Sequence, residues 1–99
     1  IIRISEKSGK WHGELYYYFD DQNNVYISGL YVKLNYRNNK FGSILLHKLE
    51  QLGKTLGAKH VELWVDQDSW IHDWYLSIGY SDLEKYRDSG NSIWMIKSL

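Results

Sequence analysis

The chain has no cysteine and no proline in its 99 residues. Without cysteine there is no disulfide framework, no thiolate nucleophile and no cysteine metal site, which fits a reducing compartment. Without proline nothing marks a linker, and no repeat or low-complexity segment divides the chain, so residues 1–99 are expected to form a single domain with a modest core. Net charge is missing too, because 12 basic residues face 12 acidic ones. Bulk charge therefore gives no long-range pull toward nucleic acid or an anionic membrane, although a local basic pocket stays open. No apolar run approaches membrane-spanning length and no secretory signal is visible. The expectation is a soluble, cytoplasmic protein without nucleic-acid or membrane partners. The chain starts at Ile1 rather than Met, which leaves room for a missing N-terminal part.

What is present centres on Asn35 to Gly57. Asn35-Tyr36-Arg37-Asn38-Asn39-Lys40-Phe41-Gly42-Ser43 is a polar, basic turn, and it runs straight into a helical pattern. Phe41, Leu45, Leu49, Leu52 and Leu56 recur at steps of three and four, which places them on one apolar face. Glu50 and Lys54 are spaced to pair one turn apart, and Gly57 is positioned to close the helix. The first N–H groups of any helix lack internal partners and carry partial positive charge. A turn with Arg37, Lys40, Gly42 and asparagines adds side-chain charge and backbone freedom, a combination suited to a phosphate or pyrophosphate. An ordinary polar turn before an ordinary helix fits the same local residues.

The remaining elements follow in order. Ile1–Ile4 is a short β-prone run, and Trp11–Phe19 is a strand whose block Tyr16-Tyr17-Tyr18-Phe19 puts aromatics on both faces. Asp20–Asn24 is a turn, and Val25–Leu34 completes an antiparallel hairpin, with Gly29 suggesting a bulge. Strict alternation puts Tyr26, Ser28, Leu30 and Val32 on one face and Val25, Ile27, Gly29 and Tyr31 on the other. After the helix, His60–Val65 is a strand expected to run parallel to Val25–Leu34. Asp66-Gln67-Asp68-Ser69 offers caps for a helix over Trp70–Ile78, and Tyr80–Arg87 and Ser92–Leu99 read as two further strands. The fold class is α+β, a mixed and mostly antiparallel sheet with two helices.

These residues, in this order, resemble the GNAT superfamily of N-acetyltransferases. Leu30-Tyr31-Val32-Lys33-Leu34-Asn35-Tyr36-Arg37-Asn38-Asn39-Lys40-Phe41-Gly42-Ser43 before a leucine-rich helix is similar to its acyl-CoA-binding motif. Asp68 to Tyr80, with Trp74-Tyr75-Leu76-Ser77-Ile78-Gly79-Tyr80, is similar to its second signature. The resemblance covers roughly Val25 to Leu99. It departs from the family at Lys40, where a glycine is usual, at Leu34 for a common proline, and at Asp68 for a common asparagine. The family's preceding strand and helices, which wall the acceptor site, look missing or reduced.

The resemblance implies that acetyl-CoA is the acyl donor and that no metal is needed. It places the pantetheine and thioester along the backbone of Leu30, Tyr31 and Val32, where two parallel strands splay. It places the pyrophosphate on N–H groups of Arg37, Asn38, Asn39, Lys40, Phe41, Gly42 and Ser43, with Asp68 as a further cofactor contact. Tyr75 matches the family tyrosine that protonates the leaving thiolate, although packing alone explains a tyrosine there as well. Glu62, Asp66 and Asp68 are carboxylates near the splay that fit a base or simple solvation, and His12, His47, His60 and His72 share no metal-ligand spacing. Trp70, Trp74 and Tyr17 could line an acceptor pocket. The implied activity is acetyl transfer to a primary amine of a small molecule or peptide. The alternative is a non-catalytic module that binds acyl-CoA or a partner protein, and pairing into a homodimer stays open.

Overall fold

The computed structural model describes residues 2–5, 11–33, 40–83 and 90–99. Its elements are β1 (Ile2–Ser5), β2 (Trp11–Phe19), β3 (Val25–Val32), α1 (Phe41–Thr55), β4 (His60–Asp66), α2 (Trp70–Ser77), β5 (Ser81–Leu83) and β6 (Ser92–Ser98). The strands form a six-stranded sheet in the order β1-β2-β3-β4-β6-β5. Every neighbouring pair is antiparallel except β3 and β4. This is the mixed, mostly antiparallel α+β fold with a parallel pair that the sequence pattern implies. Residues 84–87 of the expected Tyr80–Arg87 strand lie outside the described residues, and Tyr80 stands buried just before β5. No helix among the described residues is long and apolar enough to cross a membrane, which says nothing of membrane β-barrels.

Both helices cover the same face of the sheet. Leu45, Leu46 and Leu49 of α1 and Tyr75 of α2 share a buried cluster with Leu15, Val25, Ile27, Val61, Leu63, Val65, Ile93 and Met95. Each fully buried leucine there is worth about 2 kcal/mol over exposure. The buried stripe of α1 is rotated from the leucine spacing, because Leu46 and Gly53 lie inside while Leu56 is exposed. Gly53 explains the turn of the helix: a Cβ there would stand 2.9 Å from Leu99 Cδ1 and 3.2 Å from Val25 Cγ2. A bare backbone at that point lets α1 sit close on β3, and the larger leucines settle to either side.

Alternation along β3 breaks once. Tyr16 is opposite Gly29 and Tyr17 is opposite Ile27, so Ser28 is the extra residue of a bulge. One inserted residue inverts the facing of everything after it. Leu30 and Val32 therefore join Val25 and Ile27 against the core, and Tyr31 is turned out to 57% exposure. This corrects the strict alternation, which grouped Gly29 and Tyr31 with Val25 and Ile27.

The β2–β3 turn reaches further than its composition suggests. Asp20 Oδ1 accepts from the N–H groups of Gln22 and Asn24, both at 2.9 Å. Asn23 Nδ2 then donates to Leu56 O at the end of α1 at 2.7 Å, and the buried Asn24 accepts from Lys59 N at 3.2 Å. The start of β3 is thereby tied to the connection that feeds β4.

Candidate active site

That tie fixes one end of the parallel pair only. β3 and β4 are in register at Val25–Val61 and Tyr26–Glu62, and their pairing ends there. Beyond it β3 keeps its ladder with β2 as far as Val32, while β4 keeps its ladder with β6 as far as Asp66. The two strands diverge, and from Ile27 onward no register pair joins β3 to β4. Leu30, Tyr31 and Val32 lie on this diverging stretch, past the bulge. The strands held together at the floor and separated above it form a wedge bounded by main-chain polar groups, which an extended ligand can pair with.

Above the wedge stands the start of α1. Lys40 is its N-cap residue, at φ 63° and ψ 17°, and contributes no side-chain cap. A non-glycine residue in this left-handed conformation costs about 1–2 kcal/mol. The sequence put a lysine where glycine is usual, and the backbone keeps the left-handed turn regardless. The first intrahelical bond runs from Ile44 N to Lys40 O at 3.0 Å, which puts the N–H groups of Phe41, Gly42 and Ser43 ahead of the helical ladder. The first turn of this 15-residue helix has no acidic side chain. N–H groups that lie ahead of the helical ladder, the positive end of the dipole and an exposed Lys40 make this terminus suited to an anion. Arg37, Asn38 and Asn39 lie outside the described residues.

α2 borders the same region. Its N-cap is Ser69, whose Oγ accepts from His72 N at 3.3 Å. Asp68 is exposed and takes a hydrogen bond from Asn91 Nδ2, so it links the loop before α2 to the start of β6. Trp74 packs on the first turn of α1, its ring 3.3 Å from where a Cβ of Gly42 would be. Tyr75 is 3% exposed, with its ring edge-on to Trp74 at 4.9 Å and to Tyr80 at 5.2 Å. Burial pushes the Tyr75 phenol well above its ordinary range.

Several side chains stand elsewhere than the sequence pattern suggests. Glu50 does not pair along the helix with Lys54; it receives Lys97 Nζ at 3.2 Å and Tyr80 Oη at 3.1 Å. His72 is buried, with Nε2 2.7 Å from Asp82 Oδ1. Tyr17 packs against the core, and Trp70 is 72% exposed at the start of α2. A shallow cavity of about 270 Å³ beside α1, lined by Ser43, Leu46, His47, Glu50, Ile78 and Lys97, was not foreseen. The signal missed altogether is on the other face of the sheet, where Tyr18, Tyr26, Trp64 and Trp94 form a chain of ring contacts. The period-two alternation of Tyr16 and Tyr18 against Tyr17 and Phe19 already encoded half of it.

Comparison with known proteins accords with this geometry. The fold superimposes on an acetyltransferase from Bacillus cereus with a TM-score of 0.84 at 22% identity, over 99% of this chain and 71% of that one. A GNAT-family acetyltransferase from Staphylococcus aureus gives 0.80 at 19% identity, over 96% and 64%. The PaiA N-acetyltransferase of Thermoplasma acidophilum, solved in complex with coenzyme A, gives 0.82 at 21% identity, over 95% and 57%. The chain thus spans between 57% and 71% of the length of these proteins. No curated protein matches it. The profile of the Acetyltransferase (GNAT) family matches residues 4–80, and the chain belongs to that family.

Proposed function

We propose that this chain is an acetyl-CoA-dependent N-acetyltransferase, in which a neutral primary amine attacks the acetyl thioester directly within a ternary complex. The observation that carries this reading is the divergence of β3 from β4 past Tyr26 and Glu62, beneath the uncapped, left-handed start of α1. The pantetheine arm lies along Leu30, Tyr31 and Val32. The pyrophosphate sits on the N–H groups of Lys40, Phe41, Gly42 and Ser43, with Arg37, Asn38 and Asn39 completing the turn. Asp68 borders the cofactor from the loop before α2. A main-chain N–H of the diverging strand, aimed at the thioester oxygen, lowers the barrier by about 3 kcal/mol as negative charge develops there. The PaiA neighbour's complex with coenzyme A supports this cofactor.

Tyr75 is the acid in this reading. Its raised pKa keeps it protonated across any physiological pH. Full transfer of its proton to a thiolate is uphill, because a thiol titrates near ~8.5 and an unperturbed phenol already near ~10. Tyr75 therefore acts by donating a hydrogen bond to the departing sulfur, and the attacking amine supplies the proton that finally leaves with it.

A second reading, a module that binds acyl-CoA or a partner without transfer, draws on the burial of Tyr75 at 3% exposure. The two separate in one series of measurements. Acetyl-CoA is expected to raise the melting temperature, and at least one primary amine is expected to release CoA. Binding without release over a broad amine panel favours the module, and no binding contradicts both. Tyr75→Phe is expected to bind acetyl-CoA normally and to turn over severalfold more slowly.

A further inference from the structure

Only two residues of α2, His72 and Tyr75, are buried. They are three positions apart, so they lie on one face of the helix. Tyr75 is the acid of the reading above, whereas His72 has no task in it. The His72 ring turns to the sheet, with Nε2 2.7 Å from Asp82 Oδ1 and the two side chains 10% and 25% exposed. Asp82 belongs to β5, at the end of the strand order, and is the register partner of the buried Met95, which puts its carboxylate on the face that the helices cover. A carboxylate only accepts, so Nε2 carries the proton and donates it. The backbone of the same residue is held as well, since His72 N donates to Ser69 Oγ at 3.3 Å.

These bonds do what apolar packing cannot. Ile71, Trp74 and Ile78 rest partly buried against the core. Such burial is non-directional, so it sets how deep the helix lies and tolerates rotation about the helix axis. A short hydrogen bond requires alignment and removes that freedom. α2 has eight residues, too few to be held in place by its own backbone bonds. Among the described residues, the His72–Asp82 bond is the one side-chain hydrogen bond from α2 to the sheet. At the other end of the helix Lys97 Nζ donates to Ile78 O at 3.0 Å. Tyr75 stands between these two anchors, and among the described residues no hydrogen bond orients its own hydroxyl. The direction of that O–H therefore follows the helix. Backbone bonds lock residues one turn apart, so the setting imposed at His72 is passed on to Tyr75.

We propose that His72 is a positioning residue: held by Asp82, it fixes the setting of α2 about its axis and so the direction of the Tyr75 hydroxyl. Its part in transfer rests on the acetyltransferase reading, but the placement of Tyr75 is testable without it. The experiment is ¹⁹F NMR of the full chain labelled with 3-fluorotyrosine, the Tyr75 resonance being the one lost in Tyr75→Phe. In Asp82→Ala and in His72→Leu that resonance is expected to move and to gain a solvent isotope shift, as the ring turns toward water. In Asp82→Asn, which keeps an acceptor oxygen for Nε2–H, it is expected to stay in place. Asp82 is a quarter exposed on a sheet-edge strand, so its replacement leaves the fold intact. A contact that only stabilises would lower the urea midpoint and leave the Tyr75 resonance of the folded variants unchanged, and that result overturns the proposal. Equal displacement in Asp82→Asn and Asp82→Ala overturns it too. So does a long-range ¹H–¹⁵N spectrum of the unaltered chain in which His72 Nε2 bears no proton, a result that needs no variant. With acetyl-CoA and an amine that the unaltered chain turns over, Asp82→Ala is expected to lower kcat about tenfold while the KM for acetyl-CoA stays within about twofold. Failure of every amine to release CoA counts against the acetyltransferase reading alone, because the ¹⁹F spectra decide the anchor without cofactor.

Discussion

Lys97 on β6 reaches across to α1 and places Nζ 3.2 Å from Glu50 Oε1, while the same ammonium group donates to Ile78 O at 3.0 Å. One cation thus joins the first helix, the end of the second helix and the sheet beneath them. Its side chain is 28% exposed and that of Glu50 14%, so solvent screens the pair only in part. Lys97→Met leaves Glu50 and the Ile78 carbonyl without their cation and is expected to cost about 1–3 kcal/mol. Urea denaturation checks this, and an unchanged midpoint would mean that the contact contributes nothing.

Stability should fall on the alkaline side. Burial raises the phenols of Tyr75 and Tyr80, and for Tyr80 the Glu50 carboxylate adds to it. Below about pH 10 both the folded and the unfolded forms hold these protons, and neither tyrosine makes stability depend on pH. Above it the unfolded chain ionises first, so stability declines as pH rises, by up to about 1.4 kcal/mol per pH unit for each tyrosine. Urea midpoints between pH 8 and 11.5 should drop accordingly, and Tyr80→Phe should flatten part of the slope. A flat profile in the unaltered protein would contradict the buried placement of these rings.

Lys40 holds φ 63°. Lys40→Gly and Lys40→Ala delete the same charge and differ only in backbone freedom. Glycine relieves about 1–2 kcal/mol of strain and returns about 0.4–1 kcal/mol as unfolded-state entropy. The glycine variant is expected to be the more stable by roughly 0.5–1 kcal/mol in thermal or urea unfolding. Equal stability would mean that the turn is not left-handed in solution.

Asn24 is 4% exposed, and its side chain accepts from Lys59 N. Asn24→Ala leaves that amide without its acceptor at the floor of the wedge, and the expected cost is about 1–3 kcal/mol. Amide exchange should accelerate at Lys59 and along the Val25–Val61 rung. Acceleration elsewhere, with that rung still protected, would show that the turn does not hold the parallel pair together.

Much of this was legible in the residues. Period-two runs set β2, β3, β4 and β6 to within a residue or two, because strands with one buried face need that alternation. The glycine flagged in β3 does lie beside a bulge, but the position of the inserted residue, Ser28, depends on pairing with β2 and could not be read locally. The rotation of α1 depends on Gly53 meeting Val25 and Leu99, contacts remote in sequence. The partner of Glu50 was misjudged for the same reason, since Lys54 is near in the chain and Lys97 near only in space. For the site, the motif spacing pointed to the diverging strands and the helix start. The aromatic row of Tyr18, Tyr26, Trp64 and Trp94 could not be read locally because its members come from four strands that only the sheet order brings together.

The central claim is that main-chain amides at the start of α1 and along the diverging half of β3 hold acetyl-CoA. In a ¹⁵N-labelled sample, the backbone amide resonances of Phe41, Gly42, Ser43, Leu30, Tyr31 and Val32 should shift together on titration with acetyl-CoA. Those of β1 and of the C-terminal turn of α1 should stay in place. A spectrum that does not change, or shifts confined to residues outside these two segments, would contradict the account.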